Sequence, residues 1–366
     1  ASLANAWRPM KIARVVDESA TIRSFHLEPA DGAGLAPHAA GQHLPVRVTL
    51  PGETRPALRT YTLSVAPSDG LYRISVKREG RVSSYLHDAL STGDVIEARS
   101  PAGSFTIDAT ERRPAVLLAA GVGITPMLAM LRHVVYEGFR KRRIRTTYLF
   151  YAARSKAERA FEREIAALEQ AAGGAVRVIR VLSQTDGALE AQDYDEAGRI
   201  DMAMLSRTLP FNDYDFYLCG PAPFMQSVYD GLRGLNVADA RVHAEAFGPA
   251  SLVRKVDAVD AAAVKPAARP AQVAVPVVFM KSGKEARWTP ESGTLLELAE
   301  ARGLAPEFSC RGGSCGTCRT RILEGAVAYP VAPSAEIAAD EALICCAVPA
   351  ASEAGTETPV RLQLDL

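Results

Sequence analysis

The chain has 366 residues, with 42 basic and 42 acidic side chains and a formal net charge of zero. Apolar residues make up 48% and charged ones 23%, which excludes a mostly disordered chain, because that much apolar surface offsets the entropy of ordering. The charge balance also argues against a nucleic-acid binder acting through its overall field, and the length points to two or three domains.

Short, often alternating strands come first, at Ile12–Val16, Ile22–Leu27, Leu44–Leu50, Arg59–Ser64, Leu71–Lys77 and Asp94–Ala98. Gly, Pro and Asp turns separate them, a rhythm that predicts an antiparallel barrel or sandwich, with one short helix at Ser83–Leu90. The pattern then changes. Val116–Ala120 is a continuous apolar strand, Pro126–Glu137 has helical periodicity, Thr146–Tyr151 is a strand and Ala157–Ala172 a helix. Strands Val176–Leu182 and Asp215–Cys219 and a helix at Pro223–Leu232 follow. Such alternation implies a parallel sheet covered on both faces.

The longest apolar run, Pro114–Leu131, nears the length of a membrane span, but Gly121, Gly123 and Pro126 break it into strand, turn and helix. Neither a membrane segment nor a secretory signal is expected. Residues 249–272, rich in Ala and Pro and without aromatics, read as a linker. Strands Val273–Met280 and Glu285–Thr289, a helix at Leu295–Ala301 and a cysteine-rich loop complete the chain.

Five of the six cysteines lie in the last 57 residues. That clustering points to a metal site in a reducing, cytoplasmic setting rather than a disulfide framework. The loop SCRGGSCGTC gives Cys310-x4-Cys315-x2-Cys318, and ALICCAVP supplies a fourth thiol at Cys345 or Cys346. Two irons need four thiolates, and this is the plant-type 2Fe–2S spacing. A structural zinc site usually pairs one CxxC with another, or with His; here no second CxxC exists and no His follows the loop. In AAGVGITP, Gly121 and Gly123 would let backbone approach a pyrophosphate, with Thr125 as N-cap and Pro126 as first helical residue. The motif departs from GxGxxG at Pro126. The run RKRRIR at 140–145 reads as a solvated connection, or as a docking patch for an acidic redox partner. His38 and His43 lie close together but lack a third metal ligand.

Residues 273–366 resemble the plant-type ferredoxin domain, in which the last cysteine sits four residues before proline. Pro349 then selects Cys345, beside Cys310, Cys315 and Cys318, and leaves Cys346 a bystander. RTYTLS at 59–64, GRVSSYLHD at 80–88 and YLCGPAPFM at 217–225, together with the glycine turn, resemble the ferredoxin–NADP reductase superfamily in order and spacing over residues 8–248. The resemblance implies that Arg59, Thr60, Tyr61 and Thr62 lie along a flavin. Arg59 would meet its phosphate, Tyr61 would pack on the ring and ribityl chain, and Thr62 would hydrogen-bond near N5. Val76 and Lys77 would line the flavin edge, and Gly80, Arg81, Val82 and Ser83 would wrap its second phosphate region. VHAEAFGP at 242–249 is similar to the end of flavohaemoglobin reductase lobes, which puts Phe247 beside the flavin and Glu245 near the nicotinamide. Gly121, Gly123, Thr125, Pro126, Arg154, Cys219, Gly220 and Pro221 would hold the dinucleotide, with Cys219 where nicotinamide meets flavin. Thr62, Cys219 and Glu245 are thus the implied catalytic set.

The phosphate motif favours FAD, although the domain order resembles phthalate dioxygenase reductase, which uses FMN. NADH is favoured over NADPH. No acid ends the second parallel strand at Tyr151-Ala152-Ala153-Arg154, and Arg154 and Lys156 would suit a 2′-phosphate. However, Ser183-Gln184 stands where NADP-specific members often carry Ser-Arg. The expected architecture is multidomain: an antiparallel β-barrel flavin domain (1–112), an α/β parallel-sheet nicotinamide domain (113–248), the linker (249–272), and an α+β, β-grasp ferredoxin domain (273–366). The implied activity carries electrons from NAD(P)H through flavin and cluster to a redox protein, a Rieske-type oxygenase or demethylase, with neither nucleic acid nor membrane as partner. The alternatives are a stand-alone NAD(P)H:acceptor reductase, a reductase of another metalloprotein, and a non-enzymatic nucleotide- and zinc-binding module.

Overall fold

A computed structural model describes residues 6–247 except Arg55, 252–255, Asp257, 268–351 except Ser309, Ser314, Ser334 and Glu336, and 361–366. Most of the expected linker, and Pro249, lie outside the described residues. The chain forms two compact units, Ala1–Phe247 and Gly248–Leu366, taken here in turn.

The first unit opens with β1 (Arg8–Asp17), β2 (Ile22–Pro29), β3 (His43–Val48), β4 (Ala57–Thr62), β5 (Tyr72–Lys77) and β6 (Val95–Ala98), hydrogen-bonded in the order β4-β3-β6-β1-β2-β5. All these pairs are antiparallel. A bridge from Leu63 to Ile74 joins the two outer strands, and the Ser64 N–H donates to the Arg73 carbonyl at 2.8 Å. The sheet therefore closes into a barrel, which removes its edges. Alternation along the strands turns Ile12, Phe25, Leu44, Val46, Leu63 and Ile74 inward. Helix α1 (Arg81–Ala89) adds Val82 and Leu86 to that core.

The same unit continues with a parallel sheet of β7 (Ala115–Ala120), β8 (Thr147–Ala153), β9 (Val176–Leu182), β10 (Glu196–Ala197), β11 (Asp215–Gly220) and β12 (Val242–Ala246). The order β10-β9-β8-β7-β11-β12 reverses between β7 and β11, creating a switch point beside β7. Helices α2 (Ile124–Lys141), α3 (Glu162–Ala171), α4 (Met202–Thr208) and α5 (Ala222–Gly234) make the connections. The run Pro114–Leu131 divides between β7 and α2, and no helix among the described residues is long and apolar enough to cross a membrane. Helix α3 starts later than its periodicity predicts. A 3-10 turn at Lys156–Glu158 and a left-handed Phe161, φ 60°, come first.

Charge ties barrel to sheet. Arg132 on α2 donates to Asp69 beside the barrel and to Glu164 on α3, and Arg73 on β5 grips both Glu164 oxygens at 2.9 and 3.1 Å. The basic run is not simply solvated, because Arg145 is fully buried. It donates to Asp215 at 2.6 Å and to the carbonyls of Arg113 and Asp108 at 2.7 and 2.8 Å. Arg145 precedes β8, Arg113 precedes β7 and Asp215 opens β11, so one guanidinium gathers the starts of three strands with β7 in the middle.

In the second unit, β13 (Val275–Phe279), β14 (Lys284–Trp288), β15 (Arg319–Glu324), β17 (Glu341–Leu343) and β19 (Leu362–Leu364) form a mixed sheet in the order β14-β13-β19-β15-β17. β16 (Val327–Ala328) and β18 (Val348–Pro349) make a small separate ladder. Helix α6 (Leu295–Ala301) buries Leu295, Leu296 and Leu298 in a core with Val277, Phe279, Trp288 and Leu364. A Thr294–Glu297 capping box starts it. Barrel, parallel α/β sheet and, in the second unit, a mixed sheet packed on α6 are the expected fold classes.

Arg145→Met removes one of two guanidinium donors from the buried Asp215 carboxylate and the donor from two backbone carbonyls. It should destabilise the first unit by about 3 kcal/mol, read as a lower urea midpoint.

Candidate functional site

β4 presents the RTYT segment at the junction of barrel and parallel sheet. Arg59 is exposed, and burial pushes the Tyr61 hydroxyl up to about 12. Thr62 is buried, and its Oγ1 has no hydrogen-bond partner. Its cross-strand neighbour is His43, whose Nδ1 lies 3.5 Å from Glu245 Oε1. The other Glu245 oxygen is buried without a partner. Glu245 in turn pairs with Cys219 in the register of β11 and β12. Cys219 is fully buried, and its thiol is pushed well above its ordinary value by burial and then by the Glu245 charge. His43 therefore links Thr62, Glu245 and Cys219, although it stood out in the sequence only as a poor metal ligand. Two orphaned buried polar atoms call for a group the chain does not supply, and the polar edge of a flavin fits them.

The other residues expected at a flavin are less uniform. Val76 is buried, and Lys77 pairs with Glu79 at 3.1 Å. Gly80 caps α1, while Ser83 Oγ accepts from the N–H groups of Glu79 and Gly80 at 3.0 and 2.9 Å. The Ser83 hydroxyl is thus spent on its own turn, Val82 packs into the barrel core, and exposed Arg81 pairs with Glu53. What this helix start offers an anion is backbone N–H. Phe247 is 41% exposed directly after β12, so it is no core aromatic.

Beside the switch point, Gly121 takes φ 57° with open space where a side chain would stand. A Cβ on Gly123 would fall 2.1 Å from the Cys219 carbonyl oxygen, so the turn presses directly on the end of β11. Thr125 is not the N-cap expected of it. A 3-10 turn at Gly121–Gly123 runs straight into α2, which starts at Ile124, and Thr125 Oγ1 donates to the Val122 carbonyl at 3.0 Å. Pro126 consequently sits third in the helix. A cavity of about 640 Å³ opens along the carboxyl ends of β7, β8, β9 and β11, lined by Gly121, Arg154, Ser183, Pro221 and Phe224 among others. Open α/β sheets bind dinucleotides at this edge. The cations expected to suit a 2′-phosphate are already engaged: Arg154 with Glu158 at 2.5 Å and Lys156 with Asp193 at 2.6 Å.

In the second unit Cys310, Cys315, Cys318 and Cys345 are buried and Cys346 half-buried. Gly312 and Cys315 each aim an N–H at Cys310 Sγ at 3.4 Å, and the Cys310 N–H meets Cys315 Sγ at 3.5 Å. The thiols pair as Cys310 with Cys315 and Cys318 with Cys345, and Cys345 also reaches Cys310 and Cys346. Cys346 turns its Sγ to the Leu343 carbonyl at 3.5 Å. Among the described residues no three His, Cys, Asp or Glu side chains are grouped for a single ion. Thiols as the donor groups, with backbone N–H groups aimed at the sulfurs of Cys310 and Cys315, fit a 2Fe–2S cluster.

Three family models match successive segments: an oxidoreductase FAD-binding domain (9–107), an oxidoreductase NAD-binding domain (117–230) and a 2Fe-2S iron-sulfur cluster binding domain (279–350). The flavohem-like FAD/NAD binding domain of nitric oxide dioxygenase from Vibrio cholerae O1 biovar El Tor is 37% identical with a TM-score of 0.58, over 66% of this chain and 99% of that one. The chain belongs to the ferredoxin–NADP reductase superfamily. This member adds a C-terminal plant-type 2Fe–2S domain, and is an oxidoreductase that binds FAD, a nicotinamide nucleotide and a 2Fe–2S cluster. Phthalate dioxygenase reductase, 25% identical with a TM-score of 0.58, spans 99% of this superfamily member and is itself covered over 98%. The flavohaemoprotein of Bordetella pertussis is 41% identical over 250 residues, 66% of this chain. The match covers 61% of that protein, so the chain spans about three fifths of the length of such curated relatives.

Gly123→Ala should force the β7–α2 turn away from β11 and weaken NAD⁺ binding about tenfold or more with flavin content unchanged, measured by calorimetric titration.

Proposed function

We propose that this chain is the reductase component of an oxygenase system, delivering electrons from NADH through FAD and its 2Fe–2S cluster to a Rieske-type oxygenase or demethylase in the cytoplasm. The observation that carries this reading is the end-to-end match to phthalate dioxygenase reductase, with the three cofactor domains in one chain. Bound FAD supplies the conversion of a two-electron donor into the single electrons that a 2Fe–2S cluster takes.

The chain's own residues supply position and polarity. The Thr62 hydroxyl and the Glu245 carboxylate, each with a buried unpartnered oxygen, hold the polar edge of the flavin. Cys219 packs as a neutral thiol where nicotinamide meets flavin, because burial and the Glu245 charge keep its proton on. Tyr61 and Phe247 flank the flavin, Thr60, Val76 and Lys77 border it, and Arg59 meets phosphate with the α1 start at Gly80–Ser83. Gly121, Gly123 and the first turn of α2 (Thr125, Pro126) cradle the pyrophosphate, with Arg154 and Pro221 along the same cavity and Gly220 ending β11 beside it. Cys310, Cys315, Cys318 and Cys345 ligate iron. The working boundaries are a flavin domain to 112, a nicotinamide domain to 248, a linker to 272 and a ferredoxin domain thereafter.

An anaerobic visible spectrum tests the electron path. Flavin bands and a broad cluster absorption should both bleach on adding NADH; a colourless protein, or flavin without iron, contradicts the reading. Cys345→Ala should lose the cluster absorption and bound iron, while Cys346→Ala keeps both, because the Cys346 thiol is turned onto a backbone carbonyl.

A further inference from the structure

We infer that Glu158 reads the ribose of the nicotinamide nucleotide and makes this chain selective for NADH over NADPH, an inference that rests on the cavity described above being the nucleotide site. Dinucleotide-binding sheets commonly place an acid after the second strand, where it accepts a hydrogen bond from the ribose 2′-hydroxyl. β8 is that strand here, and it ends in Tyr151-Ala152-Ala153 with Arg154 next, so the usual position is empty of acid. The chain then makes the 3-10 turn Lys156–Glu158, which returns a carboxylate to the cavity wall beside Arg154.

The geometry of that carboxylate matches the task. Arg154 contacts one oxygen only, Oε1, from Nε at 2.7 Å and Nη2 at 2.5 Å. Oε2 is left as an acceptor for a hydroxyl donor. The Glu158 side chain is 22% exposed and that of Arg154 65%, so the acid belongs to the wall and the guanidinium reaches it from solvent. The Arg154 carbonyl accepts from the Gln184 N–H at 2.7 Å, and the Ala153 carbonyl from the Ser183 N–H at 3.2 Å. The pair therefore stands between the ends of β8 and β9, one strand away from the glycine turn that suits the pyrophosphate.

A 2′-phosphate would bring acceptors and about two negative charges to a carboxylate that needs a donor. Three of the nearby cations are already held, Arg154 by Glu158, Lys156 by Asp193 and Lys77 by Glu79. Arg199 also lines the cavity and forms no ion pair among the described residues. With Glu158 neutralised, Arg154 and Arg199 together would offer a 2′-phosphate its site.

The test is calorimetric titration of the full chain, carrying its cofactors, with NAD⁺ and with NADP⁺. The natural protein should favour NAD⁺ by roughly tenfold or more. Glu158→Gln should bring the two affinities together or reverse them, with the ratio of kcat/KM for NADPH over NADH rising in parallel, and Glu158→Asp should restore the preference. Equal or tighter binding of NADP⁺ by the natural protein, or an unchanged ratio in Glu158→Gln, overturns the role of Glu158 while leaving the cavity as the nucleotide site. Binding of neither nucleotide overturns the assignment of the cavity itself, and this inference with it.

Discussion

A buried contact between His43 on the barrel and Glu245 on the last parallel strand sets the geometry of the first unit. One residue belongs to a closed antiparallel sheet and the other to an open parallel one, and they meet 3.5 Å apart with both side chains almost wholly enclosed. Cross-strand pairing then carries the contact outward, from His43 to Thr62 and from Glu245 to Cys219. Any slip of barrel against sheet would separate all four groups. A buried polar contact is weak as a source of stability, since desolvation cancels much of its attraction, but it tolerates few arrangements. Its value here is positional.

Other interactions keep that junction in place. The Glu164 carboxylate receives Arg73 from the barrel and Arg132 from α2, and Asp69 receives Arg132 as well. The Arg73 side chain is only 8% exposed, so the network sits where water screens it little. Arg145 does the equivalent work at the other end of the parallel strands, satisfying Asp215 and two carbonyls at once. Between these anchors the carboxyl ends of β7, β8, β9 and β11 stay open as a cavity, as the reversal of strand order requires. Rigid surroundings and an open edge suit a site that must bring two flat cofactors into contact.

The second unit solves a different problem with little material. Four thiols converge on a loop whose own N–H groups point at sulfur, so the cost of gathering charge there is met by backbone dipoles. Among the described residues, a small core and the capped helix α6 support it. Adjacent Cys345 and Cys346 differ in setting: Cys345 is buried, while Cys346 is half-buried with its Sγ also turned to the Leu343 carbonyl.

Much of this was legible in the sequence, for local reasons. Alternating strands, the apolar run of β7 and the spacing of Cys310, Cys315 and Cys318 are patterns within a few residues of chain, and so are the turn signals between them. The motif residues Arg59–Thr62 and Cys219–Pro221 likewise lie in short stretches with recognisable neighbours. What sequence could not show depends on elements far apart in the chain. Arg145 reads as one more cation in a basic run, and only its placement against Asp215 and the Asp108 and Arg113 carbonyls, distant in the chain, buries it. Thr125 resembles a helix cap until the turn before it proves helical too. Glu158 lies outside the place where a ribose acid is sought, and a 3-10 turn brings it back to the pocket. Sequence by itself determined the element types, the domain classes and the cysteine loop, because period and spacing are local properties. Only tertiary structure decided which charges are buried and which acids face the cavity, because those depend on strand order and on the register between two sheets.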